Sequence, residues 1–357
     1  MVKILMKTSL GYNGIASVTM NYCKYMPDDI SYTFLLTNTN DEVRNDYRAY
    51  IEQRGWNIEY IPNPINAFSA YIKKLTKILC TGSYDVFYIN GNSSLMMIDV
   101  IAVRLSGYKG KIITHCHSTS SSNIFLHKIM KPMFKFVNVL RVACSDIAGF
   151  WAYGKNSSFV VLKNGVDYKK YSYNTTWRQQ IREEIGAVDK HIILHVGNFS
   201  ETKNHMYLLQ IAKNLKDRYE DFILLLVGEG ELLNQVIQER DKCGLQSTVY
   251  ILGNRTDINK IYSAADVFLL PSQYEGLPVV MIEAQVSGLP TIISKNITSE
   301  CDITGNVVKL GISKNEIDNW VIEIYKAVEK SNCRNTNIVS DDFMITKNVE
   351  NLLNILR

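Results

Sequence analysis

Two glutamates, Glu275 and Glu283, carry the most specific chemistry in this chain, because of what surrounds them. They lie in the run Pro271-Ser272-Gln273-Tyr274-Glu275-Gly276-Leu277-Pro278-Val279-Val280-Met281-Ile282-Glu283-Ala284, directly after the strand-like Val267-Phe268-Leu269-Leu270. The pattern predicts a strand, a short loop and a helix beginning at Pro278, since proline's missing N–H costs nothing in a first turn. The amides around that start, on Gly276, Leu277 and Val279, can cradle an anion, and the helix adds partial positive charge. Glu283 falls about one turn into the helix, on the face of Val279 and Val280. A carboxylate there would repel a phosphate at close range, and it is suited instead to accept hydrogen bonds from a ribose diol. Glu275, ahead of the helix, could hold the hydroxyls of a sugar.

Three further loops follow apolar strands. His195-Val196-Gly197-Asn198-Phe199-Ser200-Glu201-Thr202-Lys203-Asn204-His205 puts Lys203 at the start of a helix, where a cation opposes the helix dipole. A bound diphosphate would remove that conflict. Asn198 can offer an amide but no charge, and His195 reads as a strand residue. Thr8-Ser9-Leu10-Gly11-Tyr12-Asn13-Gly14 is a glycine loop in which the Gly14 amide could approach a phosphate oxygen. It matches neither the dinucleotide fingerprint nor the phosphate loop that ends in Gly-Lys. His115-Cys116-His117-Ser118 ends another strand, and His117 could reach a sugar hydroxyl near a reacting carbon. The two histidines have no evident third metal ligand, and no Asp-x-Asp pair occurs, so no metal site is expected. Lys203, the Gly14 amide and the helix at 278 would then neutralise a leaving diphosphate.

These loops need a scaffold. At 357 residues the chain suits two domains, expected as 1–165 and 190–340 with a linker at 166–189, whose 177–185 portion reads as a short helix. A helical segment, 341–357, is expected to cross back to the first domain. In the first half, strands are expected at 2–6, 31–37, 57–61, 85–89, 111–115, 139–143 and 159–162. Helices near 14–26, 41–54, 68–80, 94–106, 123–137 and 145–153 alternate with them. In the second half, strands at 191–196, 222–227, 248–252, 266–270, 290–293 and 306–309 alternate with helices near 204–217, 230–242, 257–263, 278–287 and 314–329. This βα alternation predicts an α/β chain of two Rossmann-like, doubly wound parallel sheets, each covered on both faces. Ligands of such domains bind at the carboxyl ends of the strands, in a cleft expected between the two.

The seven cysteines are scattered with no Cys-x-x-Cys pair, which predicts a reduced, cytoplasmic protein. No signal peptide or transmembrane run is expected. The net charge of +4 divides unevenly, with +10 on residues 1–178 and −6 on 179–357. The basic half points to an anionic partner. Lys128, Lys131 and Lys135 recur beside Phe125, Ile129, Met133 and Phe136, and Lys73, Lys74 and Lys77 sit beside Tyr71 and Leu75. An anionic membrane surface suits this mixture, and no nucleic-acid module is present to favour the rival partner.

Taken together, Glu275-x7-Glu283 followed by Gly288-Leu289-Pro290, Val196-Gly197 through Lys203-Asn204, and Leu162-Lys163-Asn164-Gly165-Val166-Asp167 resemble the GT4 family of retaining glycosyltransferases with the GT-B fold. The resemblance spans nearly the whole chain and is closest to bacterial exopolysaccharide and capsule enzymes. It implies that Glu283 holds the nucleotide ribose, Glu275 the donor sugar and Lys203 the diphosphate. His117 would sit by the reacting sugar, Gly14 would touch the phosphate, and Gly253 and Arg255 would line the base pocket. The family usually has arginine where this chain has Asn198, which leaves Lys203 more burdened or Arg255 or another loop to compensate. The implied reaction moves a hexose from a UDP-sugar to a hydroxyl of a lipid-linked glycan, without a cofactor, at the inner membrane face. A sugar-nucleotide epimerase, a nicotinamide oxidoreductase and a catalytically degenerate sugar-nucleotide-binding protein are the rival readings.

Overall fold

Strands such as Phe222-Ile223-Leu224-Leu225-Leu226-Val227 are apolar at every position and buried at every position, as a sheet covered on both faces requires. A computed structural model shows where they lie; it describes every residue except 38–42, 122, 220, 330–333, 335–337 and 339. Cys333 and the first residues of the helix expected at 41–54 therefore lie outside the described residues. The chain forms two compact units, Met1–Gly165 with Asp342–Arg357, and Val166–Asp341.

The first unit holds β1 (Val2–Lys7), β2 (Ile30–Leu36), β3 (Asn57–Tyr60), β4 (Val86–Gly91), β5 (Lys111–Cys116), β6 (Leu140–Ala143) and β7 (Val160–Val161). They form one parallel sheet in the order β3-β2-β1-β4-β5-β6-β7. The chain reverses its direction of travel across the sheet between β1 and β4. The ends of these two strands therefore flank the position where such sheets bind ligands. The helix Gly14–Cys23 leaves β1 under an Asn13 cap, whose Oδ1 accepts the Ala16 N–H at 3.0 Å. The expected helix 123–137 is an α-helix only over Ile124–Met130 and tightens into a 3₁₀ turn at Lys131–Lys135, where Pro132 cannot continue the α ladder. The C-terminal helix Ile345–Leu356 belongs to this unit and buries Ile345, Val349, Leu352 and Leu356 in it.

The second unit holds β8 (His191–Val196), β9 (Phe222–Val227), β10 (Val249–Ile251), β11 (Val267–Leu270), β12 (Thr291–Ser294) and β13 (Val308–Leu310), all parallel, in the order β10-β9-β8-β11-β12-β13. Its core packs Leu208, Leu224, Leu226 and Leu269 with the fully buried Trp320, whose indole N–H donates to the Gly311 carbonyl at 2.7 Å. Burying each such aliphatic side chain contributes about 1.5–3 kcal/mol. Residues 166–189, expected as a linker, fold with this unit as the helices Tyr168–Tyr171 and Thr175–Glu184. Arg178 reaches the Asp266 carboxylate at 2.6 Å, and Arg182 shares it, so the segment is clamped beside the entry to β11. Among the described residues, no helix is long and apolar enough to cross a membrane.

Candidate functional site

In the second unit, the loops at the carboxyl ends of β8 and β11 are strapped together. The Gln273 N–H donates to the Thr202 carbonyl at 2.8 Å, and the Asn204 side-chain amide donates to the Pro271 carbonyl at 3.2 Å. Asn204 holds a left-handed conformation (φ 58°, ψ 45°), which asparagine tolerates better than most residues, and it turns the chain into the helix His205–Lys216. The result brings Lys203 Nζ within 2.6 Å of Glu275 Oε1, with both side chains largely covered. Gly197 makes room for the lysine stem, since a Cβ there would lie 3.0 Å from Lys203 Cδ.

Two histidines flank this pair without sharing its charge. His205 stacks on Phe199 at 4.0 Å and meets His195 edge-on at 4.8 Å. Burial and the neighbouring Lys203 ammonium push His205 down to about 3. Burial, more than the adjacent His205 and Lys203, holds His195 well below the usual range. The His195 Nδ1–H donates to the Leu269 carbonyl at 2.9 Å, so this ring is fixed to the sheet as a neutral strand residue.

The helix after the second loop runs Val279–Val286, with Pro278 at the cap position (φ −72°, ψ 100°) rather than in the first turn. The Met281 N–H turns back to the Pro278 carbonyl at 3.1 Å, and the amides before it have no acceptor within the helix, as at any helix start. Glu283 is buried, with 7% of its surface exposed, and its Oε2 accepts the Tyr262 hydroxyl at 3.0 Å. Burial raises its carboxyl above the ordinary range, while hydrogen bonds from Tyr171 and Tyr262 and the charge of Lys170 oppose the rise.

Arg255 forks onto Asp257 at 2.8 and 2.9 Å and reaches Glu184 at 2.9 Å. These partners hold it charged and pull Asp257 below the usual carboxylate range. Its guanidinium is thus paired with two carboxylates of this unit, as the Lys203 ammonium is with Glu275, and Asn198 is exposed. Gly253 (φ 64°) accepts the Gly228 N–H at 2.9 Å and so joins the loops after β9 and β10.

Sequence reasoning missed Gly228 and Gly230, although a Gly-x-Gly immediately after an apolar strand was the available signal. Gly228 has φ 141°, and a Cβ on it would stand 2.2 Å from the Gly197 carbonyl oxygen; one on Gly230 would stand 2.5 Å from that of Phe199. The two glycines let the β9 loop lie against the backbone that carries Lys203. Gly228→Ala is therefore expected to displace residues 197–199 and weaken the binding of a diphosphate beside Lys203 by about tenfold, the worth of about one hydrogen bond, while the sheet stays folded. Isothermal titration with a nucleoside diphosphate, beside a denaturation curve, checks both halves.

In the first unit, Gly14 opens its helix into open space: a Cβ there would meet nothing within 4 Å, so packing alone does not require glycine. His117 follows β5; its backbone N–H donates to the Gly91 carbonyl at 2.9 Å, and its Nε2 lies 2.8 Å from Asn90 Oδ1. Its ring packs against His115 at 3.9 Å. Burial pushes His117 down to about 4, partly offset by a hydrogen bond with Asn164. His115, bonded through Nδ1 to the Tyr88 hydroxyl at 2.8 Å, is also held low by burial and by His117. A small pocket lies beside them, lined by Thr19, Tyr22, Tyr88 and Asn90 among others. Among the described residues, no three His, Cys, Asp or Glu side chains are grouped to hold a metal ion.

The basic segment of this unit is two-faced. Phe134 and His127 are buried, while Phe125 and Phe136 are 72% and 86% exposed beside the exposed Lys128 and Lys135. Lys73, Lys74 and Lys77 lie on a second helix, whose Tyr71 and Leu75 enter the core.

Residues 178–338 match the family model described as glycosyl transferases group 1. Over 90% of this chain and 86% of the relative, the sequence is 30% identical to a Bacillus subtilis protein described as glycosyltransferase EpsF. It is 26% identical to an Escherichia coli UDP-Gal:alpha-D-GlcNAc-diphosphoundecaprenol alpha-1,3-galactosyltransferase, over 78% of this chain and 76% of that one. The crystal structure of Anabaena HepE in complex with UDP-glucose superposes with a TM-score of 0.82 at 19% identity, covering 100% of this chain and 99% of that one. At that identity the likeness concerns the fold, which is the pair of Rossmann-like domains of GT-B.

Proposed function

The chain belongs to the group 1 glycosyl transferases, and from that premise we propose that it moves a hexose from a UDP-sugar to a hydroxyl of a lipid-linked glycan in exopolysaccharide or capsule synthesis. The observation that carries this reading is the Lys203–Glu275 pair, held at 2.6 Å by strapped loops in the unit that also buries Glu283. Lys203 supplies positive charge to the donor diphosphate, together with the amides of Gly276, Leu277 and Val279 at the cap of their helix. Glu283 accepts from the ribose diol, Glu275 from the hexose hydroxyls, and the Gly253 loop borders the base. Gly14 and His117 are the groups of the first unit proposed to meet the phosphate and the reacting sugar. The E. coli relative, named for a UDP-galactose donor and a diphosphoundecaprenol-linked acceptor, supports the choice of both substrate classes.

The proposed chemistry proceeds on one face of the sugar. The bond from the anomeric carbon to the phosphate oxygen breaks through an oxocarbenium-like state, and the acceptor oxygen bonds to that carbon on the same side. The acceptor proton passes to the departing phosphate oxygen, so configuration is retained and no enzymic nucleophile is needed. Screening nucleotide sugars for hydrolysis and transfer, without and with membrane lipid extract, tests the reading. Turnover of a UDP-hexose supports it, and no turnover of any nucleotide sugar overturns it. Full rate in excess chelator is expected, because Lys203 and backbone amides carry the neutralising role. Loss of activity restored only by a divalent ion would refute that part.

We also propose that Phe125, Phe136, Lys128 and Lys135 meet an anionic membrane. Each well-placed lysine contributes about 1 kcal/mol near such a surface. Flotation with phosphatidylglycerol vesicles is expected, with loss in Lys128→Glu/Lys135→Glu or at high salt. Equal flotation with neutral vesicles would count against the charge-based contact.

A further inference from the structure

His117 is held by a hydrogen-bond chain that runs in one direction. Asn90 lies near the end of β4, one strand away, and its Oδ1 lies 2.8 Å from His117 Nε2. The Asn90 amide nitrogen lies 3.4 Å from Thr19 Oγ1, Thr19 Oγ1 lies 3.2 Å from Thr8 Oγ1, and Thr8 Oγ1 lies 3.3 Å from the Ser9 carbonyl oxygen. A carbonyl oxygen can only accept, so the single Thr8 hydroxyl proton goes to Ser9. Thr8 then accepts from Thr19, and Thr19, its own proton spent, accepts from the Asn90 NH₂. That leaves the Asn90 carbonyl facing the histidine, where it can only accept. Turning the Asn90 amide over would reverse every link and leave the Ser9 carbonyl without its donor. Thr8, Thr19 and Asn90 are buried or half-buried, so water does not readily replace a lost link.

We infer that Asn90 is a positioning residue that fixes His117 as the neutral Nε2–H tautomer, with Nδ1 as the ring's only acceptor. The functional part rests on the reading of His117 as a neighbour of the reacting sugar. A neutral ring with a lone pair at Nδ1 can accept from a sugar hydroxyl and adds no positive charge beside an oxocarbenium-like carbon. A charged imidazolium would oppose that state. The titratable groups that line the pocket with this ring are His115 on β5, Tyr88 on β4, Tyr32 on β2, and Tyr22 and Cys23 on the helix Gly14–Cys23. Burial holds the tyrosines and the thiol up and His115 down, so none of them is charged near neutrality. Asn164 also hydrogen-bonds this ring and does not titrate; Asn90 is the partner whose amide orientation the chain fixes, and unlike an aspartate at that place it carries no charge.

Nitrogen-15 NMR of histidine-labelled protein reads the tautomer directly, alongside kcat against pH for the wild type, Asn90→Ala and Asn90→Asp. The wild-type His117 signal should be neutral with the proton on Nε2. Asn90→Ala should mix the tautomers and lower kcat by about tenfold, the worth of one hydrogen bond. Asn90→Asp should raise the His117 pKa and depress kcat at neutral pH, with recovery as pH rises and the ring loses its proton. A wild-type Nδ1–H tautomer, or tautomer and pH profile unchanged in both variants, overturns the inference. The wild-type spectrum decides even if a variant fails to fold. A wild type that turns over no nucleotide sugar would refute the functional reading while leaving the tautomer result to judge Asn90.

Discussion

Lys203→Met should lower kcat by about 10²–10³-fold, the usual loss when one preorganised charge-stabilising group is removed from a reacting site. The lysine stem passes over Gly197, its Nζ is tied to Glu275 at 2.6 Å, and two neutral histidine rings lie close by. Such a cation needs little reorganisation when charge develops on a departing diphosphate. The substitution also leaves Glu275 a partly buried carboxylate without its partner, which costs stability on its own account. Lys203→Met combined with Glu275→Gln separates the two effects. The double variant should recover the stability lost by Lys203→Met but none of the activity. Single-turnover rates and denaturant midpoints on all three variants make the comparison, and a Lys203→Met kcat within about twofold of wild type would refute the role of this charge.

Glu283→Gln should raise the donor KM by about 5–10-fold, since hydrogen bonds to a charged acceptor contribute about 1.5–3 kcal/mol against about 0.5–1.5 kcal/mol for a neutral amide. Its effect on stability should have the opposite sign. Burial raises the native Glu283 carboxyl above its unfolded value, so the native state holds that proton more tightly than the unfolded chain. The associated stability is present below the unfolded carboxylate pKa and is lost as pH rises through the raised native value. At neutral pH the wild type therefore bears the cost of a buried charge that glutamine lacks. The variant should match or exceed the wild type in denaturant midpoint at pH 7, and the advantage should shrink toward pH 4. A variant with unchanged donor KM would remove Glu283 from the proposed ribose contact.

The parallel sheets were legible because their strands are short apolar runs separated by helical patterns, a local signal that survives without knowledge of partners. The Pro278 loop and its two glutamates were legible for the same reason, since strand, loop and helix are contiguous there. The helices at 168–184 were harder to read. What fastens them is Asp266, more than eighty residues downstream, which accepts Arg178 and Arg182. Gly228 and Gly230 escaped notice because the backbone they must admit belongs to residues 197–199, on another loop. Arg255 looked like a spare cation in one dimension, and only the fold shows Glu184 and Asp257 on its guanidinium. In the Lys128 segment the α-helix gives way at Pro132, and Phe134 is buried beside exposed neighbours, a burial set by the packing of distant residues. Nothing in the relatives favours the epimerase reading, and the family assignment answers the oxidoreductase one.

The helix Ile345–Leu356 completes the first unit although it follows the second in the chain, and its Leu352 helps close the cavity beside His117. On the ribosome, then, residues 1–165 emerge with that apolar seat open, and all of Val166–Asp341 must be translated before it can be filled. At ordinary elongation rates the wait is roughly ten to forty seconds. The nascent first unit is thus a natural client for chaperones that shield exposed hydrophobic surface, and its final closure comes only after the second unit has been synthesised.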